Sequence, residues 1–66
     1  MVMELESLVR RVRGEFLEMP GLLLTVGQAQ RLWGIERELC ERVIGSLVGA
    51  AFLRRTSTGA IARMEA

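Results

Sequence analysis

Histidine, aspartate, lysine and tyrosine are absent from this chain, and each absence removes a class of chemistry. Without His or Asp, neither a Ser-His-Asp nor a Cys-His arrangement can be assembled. With Cys40 as the single cysteine, no zinc cluster of the usual Cys and His type can form. Without Lys there is no Gly-rich phosphate loop that ends in one. The acids are all Glu, and a pair such as Glu38 and Glu41 has the chemistry for proton transfer. Two solvated side chains on one helix are the simpler reading of that pair. Cys40 lies inside an apolar pattern and reads as a small core residue rather than a nucleophile. The expectation is a protein that is not an enzyme. It has no catalytic residue, metal or cofactor and takes no small-molecule substrate.

Other scarcities bear on location. A lone cysteine cannot form an internal bridge and suits a reducing compartment. Glu4 and Glu6 stand where a secretion signal carries positive charge, and no apolar run follows them. The uncharged stretches 19–30 and 43–53 contain Gly and polar residues and fall short of the roughly 17–25 residues of a membrane span. The chain is expected to be cytoplasmic, with no membrane contact.

What is present suits one small domain over residues 1–66, half of them hydrophobic. A core of this size is marginal, so self-association is an expected supplement. All nine cations are Arg, although the net charge is only +1. A guanidinium makes forked contacts to phosphate or guanine, so a few go far. An arginine-rich codon usage explains the same excess without any nucleic-acid contact.

The spacing predicts three helices and a hairpin. Leu5, Leu8, Val9, Val12, Phe16 and Met19 recur at intervals of three and four, giving an amphipathic helix from about Met3 to Glu18. Glu6 with Arg10 and Arg11 with Glu15 are opposite charges one turn apart on its solvent side. Met19-Pro20-Gly21 ends it. Leu22-Leu23-Leu24 reads as a short strand, and Thr25 with Gln28 forms a capping-box pattern that opens a helix from Val26 to Trp33. Gly34 suits a left-handed stop. A third helix should run from about Glu36 to Gly49, with Leu39, Cys40, Val43, Ile44, Leu47 and Val48 inward. Residues 52–56 and 60–63 then read as two strands joined by the Ser57-Thr58-Gly59 turn, with residues 64–66 a frayed tail.

This order resembles the winged helix-turn-helix family, in particular its small bacterial single-domain members. Leu24-Thr25 opening a short helix, followed by Ala29, Trp33, Gly34 and Ile35, looks like the first half of the motif. Cys40, Ile44 and Leu47 sit like the inward residues of the recognition helix, and Phe52-Leu53, Arg54, Arg55 and Gly59 look like the wing. The implied fold is α+β and mostly helical, with an N-terminal helix (1–19), a strand plus helix-turn-helix (22–49) and a β-hairpin wing (52–63). The chain departs from the family pattern at three places. Glu36 stands where a Ser, Thr or Asp cap is usual, and Ala51 stands where Gly often precedes the wing, which would strain a left-handed residue there. From Glu36 to Gly49 there are three Glu and two Arg, a net charge of −1.

The function implied by the resemblance is transcription-related binding of duplex DNA. Carried over, Arg37, Arg42 and Ser46 face the groove, and Thr25 and Gln28 meet phosphate. Arg54, Arg55, Ser57, Thr58 and Arg63 form the wing contacts. Arg37 and Arg42 have an equally good alternative in pairing with Glu41 and Glu38 one turn away. No Glu lies near Arg54 or Arg55 of the wing in sequence. The resemblance also implies a homodimer through the first helix, at Leu5, Leu8, Val9 and Val12. The alternative for that face is complete use in the chain's own core. Gly45 and Gly49 bare the helix backbone on the outward side, open to a phosphate backbone or a second helix. The runner-up function is a protein-protein interaction module that uses the third-helix face and the first helix.

Overall fold

The computed structural model describes residues 5–64. The first helix, α1, spans Leu5–Glu18. Its Leu8, Val12 and Phe16 recur every four residues and are buried, with Leu5 and Val9 packed partly against the same core. Burial of a side chain such as Phe16 stabilises by about 1.5–3 kcal/mol. The last helical bond runs from the Met19 amide to the Glu15 carbonyl, after which Leu22 donates to the Met19 carbonyl in a turn. Met19, expected on the apolar stripe, is 52% exposed because the chain leaves the helix there for the Pro20 turn.

A short strand, β1 (Leu23–Thr25), leads into α2 (Val26–Trp33). The strand lies one residue later than the leucine run suggests, because Thr25 is both the last strand residue and the helix cap. The Thr25 hydroxyl accepts from the Gln28 amide at 3.1 Å, and the Gln28 side-chain oxygen accepts from the Thr25 amide at 2.9 Å. Both orphan donors are thereby met, as the sequence pattern predicts. Gly34 closes α2 at φ 67°, and its amide and that of Ile35 both donate to the Gln30 carbonyl. A left-handed residue at this point favours glycine.

The third helix, α3, covers Arg37–Gly49, with Glu36 as its N-cap. Glu36 makes no side-chain capping bond, so its side chain supports the helix only by charge–dipole attraction, while its carbonyl accepts from the Cys40 amide. Cys40, Val43, Ile44 and Leu47 face inward and are buried, while Leu39 and Val48 sit at the margin. At the far end Ala51 donates to the Val48 carbonyl and Phe52 to the Leu47 carbonyl, each at 2.9 Å. This crossed pair is a Schellman closure, with Ala51 as the left-handed residue at φ 61°. The conformation expected to strain an alanine is the one it adopts.

Two further strands follow, β2 (Leu53–Arg55) and β3 (Ala60–Arg63). The Gly59 amide donates to the Thr56 carbonyl and Gly59 lies at φ 85°, a turn-plus-bulge hairpin that needs a residue tolerant of positive φ. The Thr56 hydroxyl accepts from the Ala60 amide and contacts the Thr58 hydroxyl, which stiffens the loop. The sheet order is β1-β3-β2, all antiparallel, with Leu24 opposite Ile61 and Leu53 opposite Arg63. The short strand near residue 24 thus completes the hairpin into a sheet. Met64, expected in a frayed tail, donates its amide to the Phe52 carbonyl at 2.9 Å, while residues 65 and 66 lie outside the described part.

The architecture is α+β, mostly helical: three helices and a three-stranded antiparallel sheet around one apolar core. Among the described residues no polar or charged residue is fully buried. The core decides the fate of the proposed dimer face. Leu8 and Val12 are 4% and 0% exposed within the single chain, and Leu5 and Val9 are half-buried. Leu8 and Val12 are withdrawn as interface residues, because α1 packs this stripe chiefly onto α3. No described helix is long and apolar enough to cross a membrane.

Candidate nucleic-acid interface

The exposed residues of α3 are set by helix geometry. With Cys40, Val43, Ile44 and Leu47 inward, Arg37, Glu38, Arg42, Gly45, Ser46 and Gly49 face solvent. A methyl group added at Gly45 or Gly49 meets no atom within 4 Å, so internal packing does not require either glycine. Ser46 lies between them, also exposed. This half of the surface carries almost no side chain. The other half is charged. At the N-terminal end of α3, Glu36, Glu38, Leu39 and Arg42 line an open depression of about 270 Å³. It is small, open and mixed in charge, unlike an ordinary enclosed ligand pocket.

The fold brings the β2–β3 hairpin against α3. Glu41 is the meeting point: its carboxylate lies 3.8 Å from the Arg37 guanidinium and 3.4 Å from that of Arg55. The expected pairing of Arg37 with Glu41 is therefore present, and Arg55, which has no Glu near it in sequence, meets one from α3 in space. Arg55 follows Leu53 on the inward side of β2, and at the edge of the core it reaches the side of α3. Arg42 and Glu38 are both exposed, and no ion pair within 4 Å joins them. Arg54 points to the other side of β2, exposed and with no ion-pair partner among the described residues. Exposed pairs of this kind contribute only about 0.2–1 kcal/mol each, so Arg37 and Arg55 can exchange Glu41 for another anion.

Arg63 behaves differently from the rest of its group. It is half-buried at the end of β3, and its guanidinium carbon lies 5.2 Å from the centre of the Phe52 ring. Arg13 of α1 stacks on the same ring at 5.0 Å. Phe52 is thus held by two cations that tie α1 to the sheet. The Nε of Arg63 is buried without a hydrogen-bond partner. Arg63, half-buried and stacked on Phe52, presents its charge less openly than Arg54 or Arg55. Arg13 was not marked by the sequence, since stacking on a ring 39 residues away has no local signature.

The remaining expected residues are placed as follows. Thr25 and Gln28 are exposed but occupied with each other in the capping box. Their side chains are held by the helix start, leaving the Thr25 hydroxyl hydrogen and the Gln28 amide as spare donors. Ser57 and Thr58 are exposed at the hairpin tip, with Thr58 bonded to Thr56. Between α1 and α2, Glu15 accepts from the Trp33 indole at 2.9 Å, and it also pairs with Arg11 at 3.8 Å. The Glu6 and Arg10 pair expected on the same helix is not formed within 4 Å.

Cys40 is fully enclosed on the inner side of α3, with its sulfur 3.9 Å from the Val26 carbonyl. Burial pushes the thiol above its ordinary range, Glu41 adds to the shift and Arg37 opposes it. A protonated, enclosed thiol suits packing rather than nucleophilic attack. The structure therefore brings Arg37 and Arg55 together at Glu41, leaves Arg42 and Ser46 exposed on α3, and turns Arg54 to the outer side of β2, with no ion-pair partner among the described residues. No protein-family model, no curated protein and no solved structure matches this chain.

Proposed function

We propose that this chain is a winged helix-turn-helix domain that binds duplex DNA in a transcription-related role, mainly through backbone phosphates. On this reading α2 and α3 are the helix-turn-helix and β2–β3 is the wing. The observation that carries it is the approach of Arg55 on the hairpin and Arg37 on α3 to a single carboxylate. That approach supplies adjacent cations from the two elements that a winged helix lays on DNA. Arg42, exposed on α3, and Arg54, exposed on the other side of β2, add two further cations. The outward middle of α3 holds Gly45, Ser46 and Gly49, so it offers little side chain for reading bases. Phosphate contact by arginines is the larger part of the binding energy.

Fluorescence anisotropy of a labelled random duplex tests the proposal. Four phosphate contacts from Arg37, Arg42, Arg54 and Arg55 give a log–log salt slope no steeper than about −3.6, or at most about a hundredfold loss of affinity between about 50 and 200 mM salt. The charge-reversed variant R54E/R55E should lose binding while keeping its far-ultraviolet circular dichroism. No binding by folded wild-type protein at the lower salt refutes the proposal.

The second reading, a protein-docking module, draws support from the net charge of −1 between Glu36 and Gly49 and from the bare Gly45 to Gly49 surface. It predicts a shallow salt dependence and no duplex affinity. Homodimerisation stays part of the DNA-binding reading. Its surface must draw on apolar side chains that the core leaves exposed, such as Leu17, Met19 and Leu23, rather than on Leu8 and Val12. Light scattering that gives a monomer at tens of micromolar removes it.

A further inference from the structure

We infer that Glu41 is an internal counterion that restrains this domain's affinity for polyanions. The inference rests on the DNA-binding reading above and goes beyond it by assigning a role to an acidic residue of the same surface. Glu41 bridges two elements 14 residues apart, with one carboxylate oxygen toward Arg55 of β2 and the other toward Arg37 of α3. Its side chain is 38% exposed, so water and an incoming anion can reach it. The carboxylate neutralises part of the two cations that face a phosphate. A phosphate drawn to either guanidinium must displace Glu41 or lie beside it, and lying beside it is repulsive.

The arrangement has two further consequences. Glu41 holds the hairpin to α3 in the free protein, which keeps Arg37 and Arg55 at a common spacing. It also makes phosphate binding an exchange of anions, which lowers the number of counterions released per arginine and flattens the salt dependence. Glu38 provides the internal comparison, since it sits on the same exposed side of α3 and no Arg lies within 4 Å of it.

The experiment measures duplex affinity of E41Q, E38Q and R37A/R55A, and of R37A/R55A/E41Q, by anisotropy across a salt series. E41Q removes the charge and keeps the shape. It should bind about two- to thirtyfold more tightly than wild type, the equilibrium equivalent of releasing two exposed ion pairs. Its salt slope should steepen by about one to two. E38Q should gain clearly less. Adding E41Q to R37A/R55A should give no comparable gain, because the cations it releases are gone. Equal gains for E38Q and E41Q, or the same gain with and without the two arginines, overturn the inference and leave the DNA-binding reading standing. Unchanged affinity in E41Q overturns it in the same way. If wild type and E41Q both fail to bind while remaining folded, the DNA-binding reading falls, and the restraint falls with it.

Discussion

Replacing Ala51 with Gly should make this protein more stable. Ala51 is the one non-glycine residue with positive φ among the described residues, at 61°, and it is exposed, so its methyl group buries little surface. Holding an L-residue in the left-handed region costs roughly 1–2 kcal/mol. Glycine removes that strain but loses about 0.4–1 kcal/mol through the greater freedom of the unfolded chain. Taking the middle of both ranges, the difference is a stabilisation of about 0.8 kcal/mol, and for a domain of this size it raises Tm by about 3–6 °C. Thermal unfolding followed by circular dichroism at 222 nm, repeated in urea, reads it directly. A51V supplies the opposite sign, since a β-branched residue is more strongly disfavoured at positive φ. A Tm for A51G equal to or below that of wild type refutes the reasoning. It would mean that Ala51 is not left-handed in the folded protein, or that its methyl group makes contacts that outweigh the strain.

Three other outcomes follow from the same structure. Gly45→Ala lies within α3 with open space around the added methyl, so it should stabilise by about 0.5–1 kcal/mol, read as a raised urea midpoint. Trp33→Phe keeps the ring in the core but removes the indole donor to Glu15, and should destabilise by about 1–2 kcal/mol in the same assay. The thiol of Cys40 is raised above its ordinary range by burial, so the folded state holds its proton more tightly than the unfolded state. Its contribution is therefore complete below the unfolded pKa and is lost as pH rises through the folded one. Stability should decline above about pH 9 in wild type and less so in Cys40→Ala measured against its own neutral-pH value.

Local patterns settled much of the architecture. Thr25 and Gln28 specify the start of α2 because both partners of the capping box lie within four residues, and Gly34 stops that helix because few other residues accept its backbone angles. The 3.6-residue spacing of Leu8, Val12 and Phe16, and the Gly59 turn between two short strands, are equally self-contained. The left-handed angle at Ala51 was suggested only by the resemblance, in which Gly often stands before the hairpin. What these patterns could not convey is which surfaces meet. The stripe on α1 is apolar whether it faces α3 or a second copy, and only packing shows that Leu8 and Val12 are consumed within the chain. The pairing of β1 with β3 rests on main-chain bonds that carry no sequence label.

The candidate interface divides along the same line. The sequence by itself determined which groups are available: arginines as the only cations, glutamates as the only acids, and two glycines on the outward side of α3. Tertiary structure alone decided how those charges are disposed. It placed Glu41 between Arg37 and Arg55, moved Arg63 onto Phe52, and left Arg54 without an ion-pair partner among the described residues. The physical reason is range. Caps, turns and helical periods are contacts within a few residues, so residue type at fixed spacing encodes them. Ion pairs and stacking across 14 or more residues depend on where the core brings the backbone, and the core forms from many weak apolar contacts that no single residue announces.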